Sequence, residues 1–220
     1  MIFPSGHVLE RHRAWGLRVP AASVVVPHGW RIGTRAAVAA KQTPVVFLFV
    51  GKLLPTKGVD LLLEAWGDGL PGAELWFAGS GPLEAEVGRA ASAGRVRQLG
   101  WLDADARDAA LAAASVLVLP STGPEIFLLA AAEGALAGLP VISTTVAAPP
   151  AVRDGESGIL VSPDAAALRA GMRRLLDPAE RARLADGAHG LAADLDFGTH
   201  LARLDAVYAA AGVREPETVR

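Results

Sequence analysis

A doubly wound α/β fold, a parallel sheet of about six strands with helices on both faces, is what this sequence predicts. Short apolar runs alternate along the chain with amphipathic stretches of helical period, the order that builds parallel strands joined by crossover helices. Gly and Pro punctuate the joints between them. With 220 residues, 51% of them hydrophobic, the chain can bury one full core plus appendages but is too short for two full-size domains of this class.

The elements follow in order. From Pro4 to Pro27 the chain reads as a turn, an amphipathic helix over His7–Gly16 and a short strand Val24–Val26, leading into a loose stretch rich in Ala and Gly. Strands are predicted at Val45–Val50, Glu74–Ala78, Val96–Leu99, Val116–Leu119, Val141–Ser143 and Ile159–Val161. Helices are predicted at Val59–Trp66, Leu83–Ala93, Asp103–Ala113, Leu128–Ala137 and Ala165–Leu176, with Asp103 and Asp164 as N-caps. Two further helices, Pro178–Leu195 and Phe197–Ala211, close the chain. Leu201, Leu204 and Tyr208 recur along the last one at spacings of three and four. We divide the chain into a connector (1–40), the sheet domain (41–195) and a C-terminal helix with its tail (196–220).

Composition narrows the function classes. A formal charge of -2, with Lys and Arg scattered among Asp and Glu, gives none of the basic stripe that nucleic-acid binding requires. The absence of cysteine excludes disulfides, thiolate catalysis and cysteine zinc sites, and permits a reducing compartment. Val45–Val50 and Ala109–Leu119, the longest apolar stretches, fall well short of the roughly 20 residues that span a bilayer. Met1–Pro4 is too brief for the apolar part of a secretory signal. A cytoplasmic location follows as the expectation, with peripheral attachment to the inner membrane face left open.

Sheets of this kind bind ligands beyond the carboxyl ends of their strands, which directs attention to the loops after Val50, Ala78 and Leu119. The first, Gly51–Gly58, carries Lys52 and Lys57 between two glycines. Gly51 lets backbone N–H groups approach an anion, and the two ammonium groups suit a diphosphate. An ordinary strand-to-helix loop with two solvated lysines accounts equally for the motif. Its order is not that of a P-loop, which needs Gly-Lys followed by Ser or Thr. The second loop contains Gly79 and Gly81; the dinucleotide fingerprint needs a glycine where Glu84 stands, so a tight turn is the simpler reading.

The third loop bears Glu125, and Glu133 follows eight positions on. With a helix starting just after Glu125, Glu133 lies on a face otherwise made of Ala and Leu, where an unpaired charge is costly. A ribose, whose two hydroxyls can both donate to one carboxylate, is a suitable partner. The alternatives are a helix N-terminal acid for Glu125 and a salt-bridged acid for Glu133.

Taken jointly, Phe47–Gly58, Gly79–Pro82, Leu99–Trp101, Leu119–Ser121, Glu125 with Glu133, Ala137–Ile142 and Asp154–Val161 resemble the retaining nucleotide-sugar glycosyltransferases of family 4. That family has the GT-B architecture of two facing Rossmann-like domains, and the resemblance covers nearly the whole chain as the donor-binding half. By it, Gly51 lines the phosphate loop and Lys52 and Lys57 hold the donor diphosphate. Glu133 takes the ribose, Glu125 the hydroxyls of the transferred sugar, and Leu99–Trp101 lies near the nucleobase. Lys57 and Glu125 are thereby the candidate catalytic residues, with Gly79, Gly81, Trp101 and Leu128 completing the donor site. The implied donor is a UDP-, GDP- or ADP-sugar, and the implied reaction is hexosyl transfer to an acceptor hydroxyl with retention. No metal or other cofactor is implied, because two lysines and a helix terminus neutralise the leaving diphosphate.

The resemblance also marks departures. Val24–Arg31 looks like the hinge leading out of the family's acceptor-binding domain, with only a strand-and-helix remnant before it, so another domain or chain must supply the acceptor side and little transfer is expected from this chain alone. The last helix resembles the one that crosses back to that domain, which predicts an apolar outer face. Leu128 stands where the family has glycine, Val146–Pro150 replaces a Gly-Gly-x-Pro-Glu segment, and Arg31 replaces an acid. Two function classes therefore stay open: part of an enzyme, or a non-catalytic nucleotide-sugar-binding or interaction module with a degenerate site. There is no Gly-x-Ser-x-Gly nucleophile elbow and no zinc-ligand spacing among the five histidines, and His28 reads as a hinge residue.

Overall fold

The structure, a computed structural model, describes residues 1–30 and 44–212. Arg31 and most of the loose stretch after it lie outside those residues, as do the last eight of the tail.

Six short strands form one parallel sheet: β3 (Val45–Val50), β4 (Ala73–Ala78), β5 (Arg97–Gly100), β6 (Val116–Leu119), β7 (Val141–Thr144) and β8 (Gly158–Val161). Their order is β5-β4-β3-β6-β7-β8, so the chain builds outward from β3 to one edge, then returns to build from β6 to the other. The order reverses between β3 and β6, which in a Rossmann-like sheet opens the ligand crevice. The β4–β5 pairing shifts register between Phe77 and Ala78.

Side chains alternate across the sheet, which explains why both faces carry helices. Val45, Phe47 and Phe49 join one core with α2 (Val59–Trp66), α3 (Glu84–Ser92) and α6 (Ala165–Arg174). Val46 and Leu48 join the other with α4 (Ala104–Ala113) and α5 (Leu129–Leu136). Helix α7 (Pro178–Leu191) contributes Leu184 to the first core and Ala188 to the second. Both predicted caps form: Asp103 accepts from Ala106 N–H and Asp164 from Ala167 N–H. Arg169 closes the far end of α2 by donating to the carbonyls of Ala65, Trp66 and Gly69, which ties α6 to α2.

Before the sheet lies a small parallel unit, β1 (Ile2–Phe3), α1 (Gly6–Ala14) and β2 (Val24–Val25). The sequence reading anticipates α1 and β2 but not β1, because two residues carry no period. Trp30 N–H donates to the Leu195 carbonyl, and Phe197 N–H donates to that of Trp30, so the connector meets the start of α8 (Phe197–Ala210). Helix α8 buries none of its residues fully; Leu201 and Tyr208 are exposed, in keeping with the predicted apolar outer face. No helix among the described residues is long and apolar enough to cross a membrane.

Candidate functional site

The loops after β3, β4 and β6 meet over the strand-order reversal, and glycine allows them to meet closely. Gly79 has φ 143, and a Cβ there would collide with the Gly51 carbonyl oxygen. Gly81 packs directly beneath the Leu53 backbone and lies outside the lining of the cavities described below. Its role in the geometry is loop packing, the tight-turn reading. Gly58 has φ 74, and a Cβ on it would drive into the Pro120 carbonyl, so the β3 and β6 loops also touch.

Above these contacts lies a cleft of about 800 Å³, lined among others by Gly51, Lys52, Lys57, Glu125, Leu128 and Glu133. A smaller cavity of about 320 Å³, bordered by Gly79 and Trp101, shares Gly51 and Lys52 with it. Eight of the nine predicted positions therefore border this pair of cavities, Gly81 being the exception. Trp101 stands 73% exposed at the mouth of the smaller one, an apolar face open to a planar ring.

Four charged groups form two pairs across the cleft. Lys57 Nζ donates to Glu125 Oε1 at 2.7 Å, and Ser121 Oγ donates to the same oxygen at 2.6 Å. Glu133, whose side chain is 13% exposed, meets Arg107 of α4 with its Oε1 3.5 Å from Nη2. Lys52 has no ion-pair partner among the described residues and faces both cavities. Buried Thr144 steadies the β6 loop by donating from its hydroxyl to the Ser121 carbonyl. From the other side, Ser5 Oγ donates to the Ile126 carbonyl.

The helix over this region differs from expectation. It begins at Leu129, four positions after Glu125, so Glu125 is not a helix N-terminal acid but a loop carboxylate held by Lys57 and Ser121. Leu128 breaks the run because it sits in the left-handed region at φ 58, a conformation that glycine adopts freely and leucine only at a cost. No side chain caps α5, and Leu128, Leu129 and Ala130 present its first turn to the cleft. Without a side-chain cap, that turn carries the partial positive charge of a helix start, which suits an anion.

Arg107 escapes the sequence reading, which places Ser121 in the Leu119–Ser121 motif and His28 in the hinge segment without giving either a part in the cleft. Arg107 borders both cavities and pairs with Glu133, the salt-bridged alternative for that acid. His28 lines the cleft and meets Phe127 edge-on. Arg107 falls in no motif; a partner on another helix leaves no mark in sequence spacing.

The family described as Glycosyl transferases group 1 matches residues 44–178, which includes the whole sheet and both cavities' loops. The chain belongs to this family. Among curated relatives, a D-inositol 3-phosphate glycosyltransferase of Acidothermus cellulolyticus is 39% identical over 65% of this chain and 36% of its own. The D-rhamnosyltransferase WbpZ of Pseudomonas aeruginosa is 35% identical over 64% of this chain and 39% of its own. This glycosyl transferases group 1 chain thus spans under half the length of these relatives. Of solved structures, the sucrose-phosphate synthase of Thermosynechococcus elongatus superposes with a TM-score of 0.83 at 27% identity, covering 96% of this chain and 58% of that one. HepE of Anabaena, solved in complex with UDP-glucose, superposes with a TM-score of 0.80 at 20% identity, covering 95% and 63%. Both are chains of the same α/β fold.

Proposed function

We propose that this chain binds a nucleoside-diphosphate sugar in the cleft and serves as the donor-binding half of a retaining hexosyltransferase. The observation that carries the reading is the position of two lysines, an uncapped helix start and two carboxylates around one cleft at the strand-order reversal. UDP-glucose in the HepE complex is a donor of the same class.

Each group then has a task. Lys52 and the first turn of α5 take the diphosphate, whose charge grows as the sugar–phosphate bond breaks. An ammonium has three donors, so Lys57 can hold Glu125 with one and a phosphate oxygen with another. Glu125, fixed by Lys57 and Ser121, accepts from the hydroxyls of the transferred sugar. Glu133 accepts from the ribose, and Trp101 lies beside the base. Charge neutralisation by lysine and helix needs no metal in this reading. The acceptor side requires a further domain or chain, and transfer by the chain alone is expected to be slight.

A second reading, a non-catalytic binding or interaction module, draws on Leu128, whose side chain stands at the helix start that a phosphate would approach. Calorimetric titration with UDP, GDP and ADP separates the two. Micromolar binding of one nucleotide, lost on Lys57→Ala or Glu133→Ala, supports the donor site. No binding to folded protein at millimolar nucleotide removes it.

A further inference from the structure

Arg107 occupies a position that neither the phosphate loop nor the glutamate pair requires. It rises from the first half of α4, borders the smaller cavity beside Trp101 and Gly79, and also borders the main cleft. One end of its guanidinium faces Glu133, while its Nε is buried without a hydrogen-bond acceptor, the Asp108 carboxylate standing 4.0 Å away, beyond hydrogen-bond reach. A donor left unpaired in a buried position is costly unless something supplies an acceptor. The carboxylate it faces is the one proposed to receive the ribose.

We infer that Arg107 determines the specificity of this site for nucleoside diphosphates over nucleosides, by exchanging Glu133 for the diphosphate when the ligand arrives. The inference rests on the donor-site reading above.

The physical basis is charge balance in a half-enclosed cleft. Glu133 is largely shielded from water, so its carboxylate relies on the Arg107 cation more than a surface acid would. A ribose that seats on Glu133 brings two hydroxyl donors but no charge. A nucleoside therefore loosens the Arg107–Glu133 pair and leaves the guanidinium with only the more distant Asp108 carboxylate, 4.0 Å from its Nε. A nucleoside diphosphate brings its own anion to the Lys52 wall, which Arg107 also borders, and the freed guanidinium turns to it. The same pair thus resists the neutral ligand and rewards the charged one.

Lys52 provides the contrast, since it has no ion-pair partner to give up among the described residues. Its removal weakens the diphosphate alone. Removal of Arg107 acts on both ligands, in opposite directions.

The test is a set of titrations on the wild-type chain, Arg107→Leu and Lys52→Ala, each with the best-bound nucleoside diphosphate and with its nucleoside. Circular dichroism melts check that the variants are folded; Arg107 is partly exposed on its helix, so the change does not open the core. For Arg107→Leu we expect the nucleoside to bind several-fold more tightly, the diphosphate more weakly, and the ratio of the two dissociation constants to fall at least tenfold. Lys52→Ala lowers that ratio through the diphosphate only. A wild-type chain that binds no nucleoside diphosphate overturns the donor-site reading and this inference together. A wild-type chain that binds, with an Arg107→Leu variant whose nucleoside affinity is unchanged or reduced, overturns the inference alone.

Discussion

Lys57 and Glu125, 68 positions apart in the chain, are joined by a 2.7 Å hydrogen bond that closes the β3 loop onto the β6 loop. Both side chains are mostly sheltered, at 29% and 15% exposure. The pair therefore serves two purposes: it positions Glu125, and it holds together the two loops that frame the cleft.

Removing the lysine alone leaves a sheltered carboxylate without its cation, which should cost more than the pair itself contributes. Lys57→Ala is expected to lower stability by about 1–2 kcal/mol, and Lys57→Ala/Glu125→Ala by less than the sum of the single changes, with a coupling of about 1 kcal/mol. Urea melts of the four proteins in a double-mutant cycle measure this.

Gly58 tolerates no side chain, since its backbone is left-handed and the Pro120 carbonyl fills the space a Cβ would take. Gly58→Ala combines backbone strain with a backbone clash, and a loss of roughly 2–4 kcal/mol is expected. Thermal denaturation against the wild type checks it; an unchanged melting temperature would mean that the two loops do not meet as described.

Leu128 is the opposite case, a side chain where the backbone favours none. Leu128→Gly relieves the left-handed strain and bares the first turn of α5. Nucleoside-diphosphate affinity is expected to rise about fivefold, equivalent to roughly 1 kcal/mol. Titration of the variant beside the wild type gives the answer, and weaker binding would mean that the Leu128 side chain itself supports the ligand.

Glu180 gives the fold a defined acid sensitivity. Hydrogen bonds from Arg183, and then from Arg174 across the α6–α7 junction, hold its pKa down from 4.5 to about 2. A depressed folded-state pKa contributes stability that is present above 4.5 and is lost as pH falls toward 2. Glu180→Gln should flatten the stability–pH curve in that window and leave its slope above pH 5 untouched, as followed by urea melts at stepped pH.

Much of the fold was legible because burial on both faces writes itself into composition. Val45–Val50 and Val116–Leu119 are uninterrupted apolar runs, and both strands have the bounds their sequence suggests. Asp103 and Asp164 announced their helices by capping chemistry. The loop from Pro120 to Leu128 was harder, since its path depends on partners brought from elsewhere: Lys57, Thr144 and Ser5. Arg107 was illegible for the same reason, because its partner sits on another helix. Two-residue β1 carries no pattern and forms only against β2.

The account depends on one placement, the nucleotide lying across the strand-order reversal. A crystal structure of the chain grown with its best-bound nucleoside diphosphate measures it most directly. We predict phosphate oxygens within hydrogen-bond distance of Lys52 Nζ and Lys57 Nζ, and the ribose hydroxyls on Glu133. A nucleotide bound away from Lys52, Lys57 and Glu133 would contradict the account.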